Sequence, residues 1–424
     1  MRLKKEAAKW FAVLLLLSVC ALSYVIYYAV YMSKQKEAQG GETTPDTFSP
    51  APVVSELPRY ATAFENLIIQ HTGGSGDDTH LATHFIAGKF YTLTLGGSND
   101  YDFEGKGIYL SVFDSSKLNS VIKVGGDSEI YLNSKITGEG IAVATKNGDK
   151  ALLRIVEYTL TVTPAIEMDL DNLKMYLDQN MLFIYGSKQS RLHLYVYGGK
   201  TVSEIDCIPT PEPTTIIEIF KNSSGIYAIV GGSQIGYVYC YSDRLNLVAK
   251  IPSVVISVAV NSDGQICLLC KDSSGISLNV VNSSGQIGNK PLDGGSVGRL
   301  FKTQTGFLAV TDAAVHYLDS KFSLITSIEM SMTFDKITGA LDGKGQMILL
   351  FTDTAKKITY IKRLNSYSKL NDIGVISTSS GNINLYLSGE ELNIFFTSDI
   401  NDGIYSGNFG GSDVYFINIL PSLT

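Results

Sequence analysis

Charge is scarce in this sequence: Asp, Glu, Lys and Arg together make up 18% of 424 residues, against 45% apolar residues. Disorder requires the opposite balance, so most of the chain must fold. Positive charge is scarcer still, with 34 Lys and Arg against 41 Asp and Glu, a net charge of −7 and no dense basic run. Neutralising a phosphate backbone needs clustered cations, so nucleic acid is excluded as a partner. Only 11 prolines accompany 40 glycines, 24 tyrosines and 18 phenylalanines, a balance that suits many short strands joined by tight turns. No G-x-S-x-G, H-E-x-x-H, Walker or dinucleotide-binding glycine pattern occurs in a strand–turn–helix setting, so no catalytic or cofactor-binding residue is assigned.

Long runs that are both uncharged and strongly hydrophobic are also missing, with one exception. Trp10–Met32, WFAVLLLLSVCALSYVIYYAVYM, has 23 residues and no charge. As a helix it spans roughly 34 Å, enough for a ~30 Å hydrocarbon core. Arg2, Lys4, Lys5 and Lys9 precede it and only Lys34 and Lys36 follow closely. The positive-inside rule then leaves residues 1–9 in the cytoplasm and the rest of the chain outside. A cleaved signal has a hydrophobic region of about 7–15 residues, shorter than this one. Lipidation at Cys20 is opposed by Val19, larger than the residue such a site takes. The expectation is a single-pass signal-anchor helix in the cell membrane. Residues 33–58 are polar, small and proline-bearing, as in a flexible stalk. An extracytoplasmic domain of residues 59–424 follows, in a bacterial cell envelope.

That domain repeats. A turn residue followed at once by an apolar strand begins at Gly88, Gly140, Asn180, Gly225, Gly264, Gly306, Gly345 and Gly389, at intervals of 52, 40, 45, 39, 42, 39 and 44 residues. A period of ~40–50 residues is that of propeller blades, each a four-stranded sheet. Continuous apolar runs such as ICLLC and MILLF fit strands covered on both faces. The expected fold is all-β, an eight-bladed β-propeller with seven blades as the alternative, and almost no helix after residue 32. Phe64–Gln70, FENLIIQ, is a spare strand ahead of the first unit. It is expected to close the ring by pairing with the C-terminal strands that end in Val414–Leu420.

GGSGDD (Gly73–Asp78), GKFYTLTLGGSNDYDF (Gly88–Phe103) and KGIYLSVFD (Lys106–Asp114) resemble a repeat of bacterial surface β-propellers. Ile256–Ile287 is similar to NHL-type propeller blades. The resemblance implies the fold and a surface location; it implies no activity, because propellers host many.

Few residues are candidates for chemistry. Asp100 and Asp102, with Asp77 and Asp78 before them, offer oxygen ligands to Ca²⁺ in an exported protein, although Asp and Asn in such stretches commonly serve turns. His80 and His84 could share one face of a strand near Asp77 and Asp78 as a metal site. Cys267 and Cys270 form a C-x-x-C within an apolar strand, where residues three apart face opposite sides, so they read as buried fillers. The tyrosines of LYVYGG and GYVYCY read as packing between blades rather than a sugar platform. The function expected is therefore a membrane-anchored binding or assembly scaffold for a protein partner or an envelope polymer. The alternative is a glycan hydrolase or lyase, which needs an acidic pair, or a histidine with an acid, converging at the channel.

Overall fold

Each of the eight turn-plus-strand units is the second strand of a four-stranded antiparallel sheet. The computed structural model describes residues 68–72, 77–97, 105–114, 117–282, 284–342, 345–365, 369–378, 382–388, 391–398 and 413–419. Residues 1–9, Trp10–Met32 and residues 33–58, the expected cytoplasmic tail, membrane anchor and stalk, lie outside the described residues. Among the described residues there is no helix.

Blades 1 to 7 occupy residues 79–125, 130–168, 172–209, 215–251, 254–292, 298–329 and 336–377, each a simple meander. Blade 8 joins the two ends of the domain. Asn384–Ser388, Glu391–Ser398 and Asp413–Ile419 run in chain order, and Ile68–Thr72 adds the outermost strand. It lies antiparallel to Asp413–Ile419, with Ile68 opposite Asn418 and Thr72 opposite Val414. The expected closure holds, with the strand described from Ile68 and residues 64–67 outside the described part. Eight blades form the propeller, and seven is excluded.

The apolar core consists of eight clusters, one between each pair of neighbouring blades. This explains the continuous apolar runs. In Ile266–Asp272, Cys267 and Leu269 pack toward blade 6 while Leu268 and Cys270 pack toward blade 4. Successive side chains alternate, yet both faces are covered. Cys267 and Cys270 are free, fully buried thiols facing opposite ways. Burial pushes the Cys270 thiol up to about 12 and raises Cys267 as well, so neither is available as a nucleophile at neutral pH. Tyr237 and Tyr239 are buried in the cluster between blades 3 and 4, as packing residues.

Hairpin loops repeat one chemistry. The Asn261 side-chain oxygen accepts the N–H groups of Asp263 and Gln265, and Asn282 does the same for Ser284 and Gln286. Gly264 and Gly285 then sit at φ +78° and +77°, which a residue with a Cβ rarely adopts.

Candidate functional site

The first strands of the blades other than blade 2 line a central cavity of about 690 Å³. Four of these strands carry a β-bulge at the same place, shifting register after His80, Tyr131, Ile216 and Val255. The bulged residues in blades 1, 4 and 5, Leu81, Ile217 and Ile256, line the cavity. A bulge re-aims a side chain that regular pairing would place on the other face.

The residues after the bulges, and their counterparts elsewhere, stitch several inner strands to the next. Asn133 accepts the Met175 N–H at 3.2 Å, Asn172 the Ile216 N–H at 3.3 Å, Ser257 the Leu300 N–H at 3.0 Å and Asn384 the Thr83 N–H at 2.8 Å. These bonds satisfy donors on inner edges that have no ladder partner. Two cations do the same for carbonyls: the Lys174 ammonium donates to the Ile217 carbonyl, and Arg299 donates to the Ile337 carbonyl at 3.0 Å. Lys174, Arg299, Glu218, Lys336 and Asp335 are the charged residues of the lining. Asp335 accepts the backbone N–H and hydroxyl of Thr354. Three cations thus stand against two carboxylates in the lining, and two of the cations are engaged with backbone carbonyls.

The histidines stand elsewhere. His80 and His84 do not share a face, because the bulge after His80 reverses the alternation between them. His80 turns to blade 8, where its backbone N–H donates to Thr397 Oγ1 at 2.9 Å and its ring Nδ1 lies 3.2 Å from the Asn382 carbonyl. His84 turns to blade 2, with Nε2 2.7 Å from Ser134 Oγ. Burial lowers both from the ordinary 6.5 to about 4, with Lys135 adding to the effect on His84. They are neutral seam residues and cannot hold one metal ion between them. His316 is buried too, near Ser327 and the Asp293 carbonyl, and is likewise lowered by burial.

Of the calcium candidates, Asp78 is buried and its side chain accepts the Gly97 N–H at 2.7 Å, tying together the open end of the hairpin formed by Thr79–Ile86 and Lys89–Gly96. Asp77 beside it is exposed. Asp100 and Asp102 lie outside the described residues.

One cluster escaped the sequence reading. On the two outer strands of blade 3, Arg191–Gly198 and Thr201–Pro209, the side chains of His193, Glu204 and Cys207 converge, with their ligand atoms within 4.8 Å of one another. Glu204 and Cys207 are three apart and belong on opposite faces of a regular strand. A bulge at Ile205, where Leu194 pairs with Asp206 and Tyr195 with Glu204, brings them to one side.

The fold is defined by its own strand pairings as an eight-bladed β-propeller. No family model matches the chain, and no curated protein matches it. Solved structures do. Virginiamycin B lyase from Staphylococcus aureus is 11% identical with a TM-score of 0.47, covering 69% of this chain and 96% of that one. The AfRom2 CNH domain is 10% identical with a TM-score of 0.45, covering 83% and 98%. Kluyveromyces lactis Hsv2 is 10% identical with a TM-score of 0.43, covering 65% and 96%. Likenesses at this level carry no activity across.

Proposed function

We propose that this chain is a binding and assembly scaffold, tethered to the cell membrane through Trp10–Met32, whose propeller engages a protein partner outside the cytoplasm. The observation that carries the reading is the outer rim. On four consecutive blades the outermost strand exposes a large aliphatic side chain: Ile205 at 40%, Leu247 at 47%, Ile287 at 39% and Ile325 at 55%. Single exposed aliphatics are common, but the same placement on neighbouring blades is the pattern a partner surface takes. Ile205 and Ile325 occupy bulges, where ladder pairing with another sheet is interrupted. Recognition at this edge therefore runs through side chains rather than strand addition. The charge asymmetry around residues 10–32 supports the topology.

The test is crosslinking of the full chain in its own membrane, comparing the unaltered protein with a Leu247→Lys, Ile287→Lys, Ile325→Lys variant. A scaffold loses its crosslinked partner in that variant and keeps it in Glu218→Gln. An envelope polymer as the bound species would appear in the same crosslink as glycan rather than protein. Turnover of envelope glycans that depends on Glu218, with the fold intact, overturns the reading in favour of an enzyme.

A further inference from the structure

We propose that His193, Glu204 and Cys207 form a transition-metal site of the zinc type on the outer edge of blade 3. This inference does not rest on the scaffold reading: its three ligands are not among the rim aliphatics, although the Ile205 bulge lies in both regions.

The donor set is the first argument. A thiol sulfur, an imidazole nitrogen and a carboxylate oxygen are the three protein donors that zinc takes, and three protein ligands leave a fourth position open. Geometry is the second. Nε2 of His193 lies 3.9 Å from Cys207 Sγ, and Nδ1 lies 2.7 Å from Glu204 Oε1. Donors at about 2.0–2.3 Å from a tetrahedral ion stand roughly 3.3–3.8 Å apart. Sulfur and imidazole are thus close to the required span. The Glu204 carboxylate holds Nδ1 and gives up that bond to reach an ion on Nε2, which its 43% exposed side chain has room to do, while the His193 side chain at 16% is held in place. The ring of Tyr195 stacks near His193, with centroids 6.2 Å apart, and fixes that orientation.

The backbone supplies the third argument. Without the bulge at Ile205, Glu204 would face away from Cys207. Outer-strand bulges recur in blades 1, 4, 6 and 7, and in blade 3 this one brings the two ligand side chains to one face.

Charge is the fourth. Once the sulfur is ionised by a metal, it and Glu204 supply two negative charges, and Arg191 Nε donates to Sγ at 3.1 Å as a neighbouring donor that leaves other sulfur lone pairs open. A divalent cation balances those two charges.

The experiment is a cobalt titration of the reduced, metal-free full chain, followed by absorbance. One equivalent of Co²⁺ should give a sulfur-to-metal charge-transfer band and the visible bands of a four-coordinate ion, both reversed by Zn²⁺. Cys207→Ser should abolish the charge-transfer band, His193→Ala should weaken affinity by roughly 100-fold and Glu204→Gln by about 10-fold. Cys240→Ser, the other partly exposed thiol among the described residues, should leave all of this unchanged, and near-ultraviolet circular dichroism should show every variant folded. Absence of the charge-transfer band, its survival in Cys207→Ser, or its loss in Cys240→Ser alone would each overturn the proposal.

Discussion

Acidification from pH 7 to pH 5 should weaken this propeller at the seam where the ring closes. His80, fully buried, spans blades 1 and 8, and His84 spans blades 1 and 2. In the folded chain both titrate near 4, below the ordinary value of 6.5 that they recover on unfolding. A folded value below the unfolded one means that the unfolded chain binds protons first as pH falls. Stability from these groups is therefore complete above pH 6.5, falls between 6.5 and 4, and is fully lost below 4. One pKa unit corresponds to about 1.4 kcal/mol, so at pH 5 each histidine has removed about 2 kcal/mol and the pair about 4. Against a typical total of ~5–15 kcal/mol that is a large share.

Carboxylates do not confuse this window. Hydrogen bonds from Lys146 hold Asp171 below its ordinary range and those from Lys356 do so for Asp353, so their contributions persist until pH falls below about 4. His316, also lowered, adds in the same direction as the seam pair. The assay is urea unfolding at pH 7, 6 and 5, followed by circular dichroism. The midpoint should fall steeply between pH 6.5 and 5. His84→Gln retains a polar end for Ser134 while removing the titrating group, so it should reduce that dependence by about one proton, and adding His80→Asn by about one more. If the double variant keeps the acid sensitivity of the unaltered protein between pH 7 and 5, the reasoning is wrong.

Glu129→Gln should cost about 3–5 kcal/mol in urea unfolding, because it leaves Arg154 without the bidentate partner it meets at 2.7 and 2.8 Å in a largely buried setting. Deleting residues 60–72 removes the strand that pairs with Asp413–Ile419, so the truncated domain should melt earlier and aggregate through the exposed edge, as seen by light scattering. Gly285→Ala should destabilise by at least about 1 kcal/mol, since φ is +77° and the new Cβ would lie 2.4 Å from the Val248 carbonyl, whereas Gly288→Ala, with open space around it, should leave the thermal midpoint almost unchanged.

The repeat was legible because its second strand is buried on both faces. ICLLC, MILLF and the corresponding stretches have no polar alternation to obscure them, and each follows a turn residue, so all eight copies stood out by spacing. Ring closure was legible for a related reason. Ile68–Thr72 had no neighbouring strand of its own in sequence, and blade 8 lacked a fourth. The inner strands were harder to read, because a bulge after His80, Tyr131, Ile216 or Val255 changes which face each later residue occupies. The pairing of His80 with His84 on one face failed for this reason.

The same argument explains why the metal-ligand cluster was invisible. His193 and Cys207 lie 14 residues apart on paired strands, and they register opposite one another only once the hairpin is known. Glu204 would still be excluded by period-two alternation, since it is three residues from Cys207. No residue marks the bulge: Ile205 is β-branched and suits an ordinary strand as well as a bulge. Bulges thus account for both errors, in opposite senses. In blade 1 a bulge separates two histidines that alternation had put together, and in blade 3 a bulge unites two ligands that alternation had put apart. Register shifts of a single residue leave the hydrophobic spacing of the blades intact while reassigning which polar side chains meet. The fold could therefore be read from spacing alone, whereas the positions at which chemistry is possible are set by irregularities that the spacing does not record.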